Sequence, residues 1–185
     1  MGMGMANSLR RAGHQVGVCD VRHEVAQAFA KDGGAAHPTP AALAPTVDIL
    51  VSVVVNAAQT EEVLFGEQGA AAHMKPGSLF IMCSTVDPNW SIALEKRLND
   101  LGLLYLDAPI SGGATKAASG QMTMMTSGHA NAYAKAGNAL DSMAAHVYKL
   151  GDRAGYGSKV KIINQLLAGV PVSYTHLTLP TICSV

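Results

Sequence analysis

Leu103-Leu104-Tyr105-Leu106-Asp107-Ala108-Pro109-Ile110-Ser111-Gly112-Gly113 sets a short apolar run directly against an acid, a proline and two glycines. Four apolar residues in a row suit a buried strand. Asp107 ends the run, Pro109 is expected to stop further ladder pairing, and Ser111-Gly112-Gly113 opens a bare backbone. A loop at the carboxyl end of a strand is where open α/β sheets place ligands. Its free N–H groups suit an anion such as a carboxylate. Taken alone, the same residues also read as an ordinary Pro/Gly turn.

The rest of the chain alternates strands with helices around this stretch. Residues 49–55 form a mostly β-branched aliphatic run interrupted only by Ser52, as in a parallel strand buried on both faces. Gln59 is expected to start a helix through Leu64, broken by Gly66 and Gly69. Lys75-Pro76-Gly77 is a turn, 78–83 a strand, and Pro88 opens a helix to about 101. Earlier, 1–13 reads as a helix, 15–19 as a strand ended by Asp20, and 22–32 as a helix closed by Gly33-Gly34. A short strand at 35–36 and a short helix at 38–44 follow. Beyond the loop come a helical turn at 114–119, a strand at 121–126, a helix at 130–144 and a strand at 146–150. The methionines of 121–126 read as core filler. This order predicts an α/β fold with a doubly wound, mostly parallel sheet and an added rim.

The chain's 185 residues allow one domain with a real core. Hydrophobic residues make up 49% and charged residues 14%, with a formal net charge of zero. That balance points to neither a nucleic-acid nor an acidic-membrane partner. Cys19, Cys83 and Cys183 lie far apart and fit neither a disulfide framework nor a metal site. The seven histidines are scattered without zinc spacing. No run is long and apolar enough to span a membrane and no signal peptide is visible, so the cytosol is the expected compartment.

A second stretch, Gly155-Tyr156-Gly157-Ser158-Lys159-Val160-Lys161-Ile162-Ile163-Asn164-Gln165, changes the reading of the first. Together the two resemble the β-hydroxyacid dehydrogenase family, which includes hydroxyisobutyrate and threonate dehydrogenases. That family carries D-x-P-[VI]-S-G-G as its substrate loop. It carries G-x-G-x-x-x-K-x-x-N-[NQ] at the start of a long interdomain helix. The resemblance runs from about Gly2 to Val170 and implies a Rossmann-type fold.

It also implies roles for particular residues. Lys161 is the catalytic acid/base. Ser111, Gly112 and Gly113 bind the substrate carboxylate, and Asn164 and Gln165 lie near the substrate hydroxyl. The family often has a second Asn where Gln165 stands. Gly2, Asp20, Val54, Val55, Gln59 and Thr85 line the cofactor. The family's G-x-G-x-M-G loop is represented only by its last two residues, Met1-Gly2, and its strand one does not precede them. Its usual M-L-P is replaced by Val53-Val54-Val55-Asn56. An acid at the end of the second family strand hydrogen-bonds the adenosine ribose and repels a 2′-phosphate. Asp20 therefore argues for NAD over NADP, with Arg22 pulling the other way. Asp20 also reads as a cap for the helix after it.

The expected organisation is a dinucleotide-binding domain at 1–153 and the start of the interdomain helix at 154–171. Residues 172–185, with Pro180 following soon after Pro171 and many β-branched residues, make a poor helix and read as a non-native tail. By the resemblance, full-length relatives carry an all-helical domain beyond this point and form homo-oligomers through it. The implied reaction oxidises the hydroxyl of a small β-hydroxy acid, threonate-like or 3-hydroxyisobutyrate-like, by hydride transfer to NAD. A lysine is protonated in water, with a pKa near about 10.4, so burial must lower it before it can act as a base. Lys159 is expected to face elsewhere.

Two alternatives stand beside this reading: a catalytically inactive nucleotide-binding module, and a phosphogluconate-type decarboxylating dehydrogenase. A short-chain dehydrogenase is excluded because Tyr156 has Val160, not Lys, four residues on. A serine hydrolase is excluded by Pro109 where Gly-x-Ser-x-Gly needs its first glycine. A P-loop is excluded because Gly157-Ser158-Lys159 has the wrong order.

Overall fold

The runs rich in β-branched and aliphatic residues form the strands of a three-layered α/β unit, and a computed structural model describes residues 1–175. Three parallel strands carry the centre: β3 (Ile49–Ser52), β4 (Leu79–Met82) and β5 (Leu104–Asp107), in the order β3-β4-β5. Leu79, Phe80, Ile81 and Met82 are all buried, as expected of a strand covered on both faces. The ladder aligns Ser52, Met82 and Asp107, so the three carboxyl ends share one edge. Before them, β1 (Gly17–Val18) and β2 (Ala35–Ala36) form a separate two-stranded parallel sheet. After them, β6 (Ile110–Ser111), β7 (Met122–Thr126) and β8 (Ala144–Lys149) form a third, with β6-β7 antiparallel and β7-β8 parallel.

The helices are α1 (Gly2–Arg11), α2 (His23–Lys31), α3 (Pro40–Leu43), α4 (Ala57–Phe65), α5 (Pro88–Asp100), α6 (Gly113–Ala118), α7 (Ala130–Ala136), α8 (Ala139–Met143) and α9 (Tyr156–Thr175). Two apolar cores lie on opposite faces of the central strands. Leu79, Ile81 and Leu106 face one, with Met122, Met124 and Met143. Phe80, Met82 and Tyr105 face the other, with Leu64, Leu94 and Leu98. The methionines at 122 and 124 thus fill core, as their spacing suggested.

Several boundaries differ from those read in the sequence. The strand expected at 49–55 ends at Ser52, leaving Val53 to Val55 as a connecting loop, because Asn56 turns the chain to cap α4. The helix expected from Gln59 starts at Ala57 for the same reason, Asn56 Oδ1 accepting from Gln59 N–H at 2.9 Å. Pairing resumes after Pro109, whose carbonyl accepts from Met125 N–H at 3.0 Å, since a proline loses its donor but keeps its acceptor. The helix expected at 130–144 is two helices, parted at Gly137 with φ +52°. The expected single sheet is three smaller sheets, the second and third linked by a bridge between Asp107 and Ser127. The poor helix expected beyond 171 is helical as far as Thr175, because Pro171 removes only one bond from an established ladder. The remainder of the expected non-native tail lies outside the described residues.

Candidate active site

Asp107, the last residue of β5, is the fixed point of the site. It has no exposed surface. Its Oδ2 accepts from Gly155 N–H and Ser158 N–H, both at 2.9 Å, and from the Ser127 hydroxyl at 3.3 Å. Its Oδ1 accepts from the Ser158 hydroxyl at 2.8 Å. Burial pushes the Asp107 carboxyl above its ordinary range, and these hydrogen bonds pull against that shift. Ser127 Oγ in turn accepts from Gly157 N–H at 2.9 Å. In the first turn of α9, whose N–H groups have no intrahelical partners, those of Gly157 and Ser158 are therefore satisfied by side chains from other elements.

The glycines of Gly155-Tyr156-Gly157 have distinct reasons. Gly155 has φ +97°, a conformation that favours glycine. A Cβ at Gly157 would collide with the Met125 carbonyl oxygen and stand 3.0 Å from that of Asp107. One residue earlier, Ala154 N–H donates to the Glu95 carboxylate at 3.2 and 3.3 Å. Burial, the dominant cause, raises Glu95, while the hydrogen bond from Ala154 and the nearby His129 oppose it.

Lys161 follows Ser158 by three residues and Gly157 by four, on the helix face pressed to the strands. It is only 8% exposed. Its ammonium takes part in no hydrogen bond or ion pair among the described residues. Burial alone lowers its pKa. Lys159 is exposed, with its ammonium 5.9 Å from the centre of the Tyr156 ring. Asn164 and Gln165 continue the Lys161 face but are exposed, because α9 has by then run past the strands.

Ser111 is half-buried on β6, and Gly112 and Gly113 are exposed with φ of +136° and +74°. They lead into α6, which packs on α1: the Ser8 hydroxyl donates to the Ala117 carbonyl at 3.2 Å, and Arg11 to that of Ala118 at 2.6 Å. A Cβ at Gly4 would lie 2.7 Å from the α6 backbone, so this glycine permits the close crossing. No hydrogen bond among the described residues joins Lys161, Asn164 or Gln165 to Ser111, Gly112 or Gly113. What links the two stretches is Asp107, four residues before Ser111 and bonded to Ser158 three residues before Lys161.

The residues expected at the cofactor open α1, follow β1, β3 and β4, or lie in the first turn of α4. Gly2 opens α1 against the end of β3, where an added Cβ would find Val53 at 3.5 Å, ordinary contact distance. The start of α1 has no capping side chain and no acid in its first turn. A donor-rich terminus of this kind fits an anion such as a pyrophosphate. Val54 is half-buried and Val55 is 75% exposed. The Gln59 side-chain oxygen accepts from Val55 N–H at 2.8 Å and closes the loop after β3. Thr85 is half-buried after β4, next to buried Ser84, whose hydroxyl meets Thr60 at 2.9 Å. Asp20 Oδ1 accepts from Arg22 N–H at 2.9 Å and lies 3.5 Å from Arg22 Nε. Its Oδ2 has no partner among the described residues, so Asp20 turns the chain into α2 with one oxygen still available.

Sequence reasoning missed Asp107, Ser127, Ser158 and Glu95. The signal available was the acid ending an otherwise apolar run and the serine immediately after Gly-x-Gly, but their pairing spans 48 residues or more and is set by tertiary structure. Among the described residues no group of three or more His, Cys, Asp or Glu gathers into a potential metal site. No described helix is long and apolar enough to cross a membrane.

The chain is similar to known proteins over most of its length. The family described as the NAD binding domain of 6-phosphogluconate dehydrogenase matches residues 1–151. An L-threonate dehydrogenase of Cupriavidus necator is 57% identical over 173 residues, covering 94% of this chain and 58% of that protein. The chain belongs to the β-hydroxyacid dehydrogenase family, within its NAD-binding domain. The mitochondrial 3-hydroxyisobutyrate dehydrogenase of Mus musculus is 33% identical over 170 residues, covering 92% of this chain and 50% of the relative. A crystal structure of a 3-hydroxyisobutyrate dehydrogenase from Salmonella typhimurium superposes with a TM-score of 0.89 at 42% identity, over 94% of this chain and 60% of that one. The chain thus spans between half and three-fifths of the length of these relatives.

Proposed function

We propose that this chain is the NAD-binding part of an oxidoreductase that oxidises the hydroxyl of a small β-hydroxy acid, with a threonate-like acid favoured over 3-hydroxyisobutyrate. The higher identity to an L-threonate dehydrogenase supports that preference. The observation that carries the reading is Lys161: a buried lysine without a charge partner among the described residues, held at the edge where the three parallel strands end.

Alcohol oxidation needs a hydride acceptor, a base for the hydroxyl proton, and an anchor that fixes the substrate. Bound NAD supplies the hydride acceptor. Lys161, its pKa lowered by burial, takes the hydroxyl proton on its neutral amine; in the reverse direction its ammonium polarises the carbonyl. The Ser111 hydroxyl and the Gly112 and Gly113 N–H groups hold the substrate carboxylate. Asn164 and Gln165, one turn beyond Lys161, reach the hydroxyl-bearing end. Gly2 lies at the pyrophosphate, Asp20 at the adenosine ribose, and Val54, Val55, Gln59 and Thr85 along the nicotinamide half. The free oxygen of Asp20 supports NAD over NADP. The free thiols of Cys19 and Cys83 accord with a cytosolic setting.

A protein of residues 1–185 alone is expected to bind NAD without turnover. Ile162, Ile163, Leu166 and Leu167 are 42–68% exposed on α9, so an apolar face of the helix beyond Lys161 stands uncovered. Steady-state assays of the complete protein with L-threonate, 3-hydroxyisobutyrate and 6-phosphogluconate, each with NAD and NADP, test the reading. Turnover of a β-hydroxy acid with NAD is the expected result. Turnover of 6-phosphogluconate alone, or nucleotide binding without turnover of any acid, would replace it with one of the two alternatives.

A further inference from the structure

Four of the five N–H groups from Ala154 to Ser158 are held by side chains from elsewhere in the fold: Ala154 by Glu95, Gly155 and Ser158 by Asp107, and Gly157 by Ser127. A helix ordinarily takes its N-terminal cap from the residue just before it. Here the capping carboxylate belongs to a strand 48 residues earlier and comes with its own second contact, the Ser158 hydroxyl at 2.8 Å. The bridge between Asp107 and Ser127 ties that carboxylate's backbone to the third sheet, with N–H to carbonyl distances of 3.0 and 2.8 Å. Strand, sheet and helix are thus joined at a single buried group.

We propose that Asp107 is the positioning residue for Lys161: its carboxylate clamps the first turn of α9 against β5 and β7 and so fixes where the lysine nitrogen stands. The inference rests on Lys161 being the acid/base group. Lys161 lies three residues beyond Ser158, about 4.5 Å farther along the axis at roughly 1.5 Å per residue. Any tilt or slide of the first turn is therefore transmitted to it. The fit leaves little slack, since Gly157 has no room even for a methyl group.

The clamp works through geometry rather than through its field. Four donors and the positive end of α9 absorb the Asp107 charge. Burial is the cause that lowers Lys161. A positioning role and an electrostatic role then predict opposite signs. Loosening the clamp lets water reach the ammonium and raises the Lys161 pKa. Removing an attractive neighbouring charge would lower it.

The test labels the lysine Cε carbons of the 185-residue chain with ¹³C and follows each signal against pH, assigning Lys161 by its absence in Lys161→Ala. In the native protein Lys161 should titrate below the exposed lysines, which sit near about 10.4. In Asp107→Asn the Lys161 midpoint should move up toward them while Lys159 stays in place. Ser158→Ala and Ser127→Ala, each removing one contact to the carboxylate, should give smaller shifts in the same direction. A folded Asp107→Asn with an unchanged Lys161 midpoint would overturn the proposal, and so would a lower midpoint. Should Asp107→Asn fail to fold, unchanged midpoints in both serine variants overturn it. The acid/base reading fails separately: a fully active Lys161→Ala in the complete protein would remove the chemical role without altering these titrations.

Discussion

At the end of β5 a fully buried carboxylate takes four hydrogen bonds, whereas beyond β1 Asp20 leaves one oxygen free among the described residues and its side chain is 36% exposed. The strands differ in the same sense. β5 continues a three-stranded ladder with buried neighbours, while β1 is two residues long and, among the described residues, pairs only with β2. The contrast follows the task proposed for each end. Proton transfer needs a nitrogen fixed to within a fraction of an ångström and kept from water. Holding an adenosine ribose needs a free acceptor at an accessible surface.

If that contrast is correct, perturbing the two ends should have different consequences. The largest effect on stability is expected at Gly157. Gly157→Ala should cost about 1–3 kcal/mol through overpacking against the Met125 and Asp107 carbonyls, read as a drop in thermal midpoint. An unchanged midpoint would mean that α9 is not pressed to the strands there. At the other end, Asp20→Ala should leave stability within about 0.5 kcal/mol, as surface changes usually do. It should lower NAD efficiency by the loss of a hydrogen bond to a charged group, about 1.5–3 kcal/mol, and narrow the preference over NADP. A variant that kept its NAD preference would shift the selectivity to another residue.

A smaller effect concerns pH. Because burial lowers the Lys161 pKa, the folded protein binds fewer protons than the unfolded chain between the lowered value and about 10.4. Stability should therefore rise with pH across that window, and Lys161→Met should flatten the rise. For oxidation, kcat/KM should climb as Lys161 loses its proton, with a midpoint below that of an ordinary lysine. A profile rising only near about 10.4 would mean a solvated lysine.

The order of strands and helices was legible in the sequence because alternating apolar runs and Gly/Pro breaks are local signals. The two stretches around Asp107 and Lys161 were legible as motifs, and Lys159, expected to face elsewhere, is exposed. The role of Asp107 was not legible. A strand-ending acid gives no sign that it will cap a helix 48 residues later. Likewise Val53 to Val55 extend an apolar run that reads as strand, and only the Asn56 cap shows where the strand must stop. The break at Gly137 was hidden because the apolar pattern continues on both sides of it.

The most direct test of the account compares two lysines two residues apart. In the complete protein, Lys161→Ala should lower kcat by about 10²–10⁴, the usual loss for a general acid/base, with NAD affinity nearly unchanged. Lys159→Ala, exposed and stacked near Tyr156, should leave kcat close to its native value. The reverse pattern, with Lys159→Ala crippling turnover and Lys161→Ala retaining it, would contradict the assignment of Lys161 and with it those of Asn164 and Gln165.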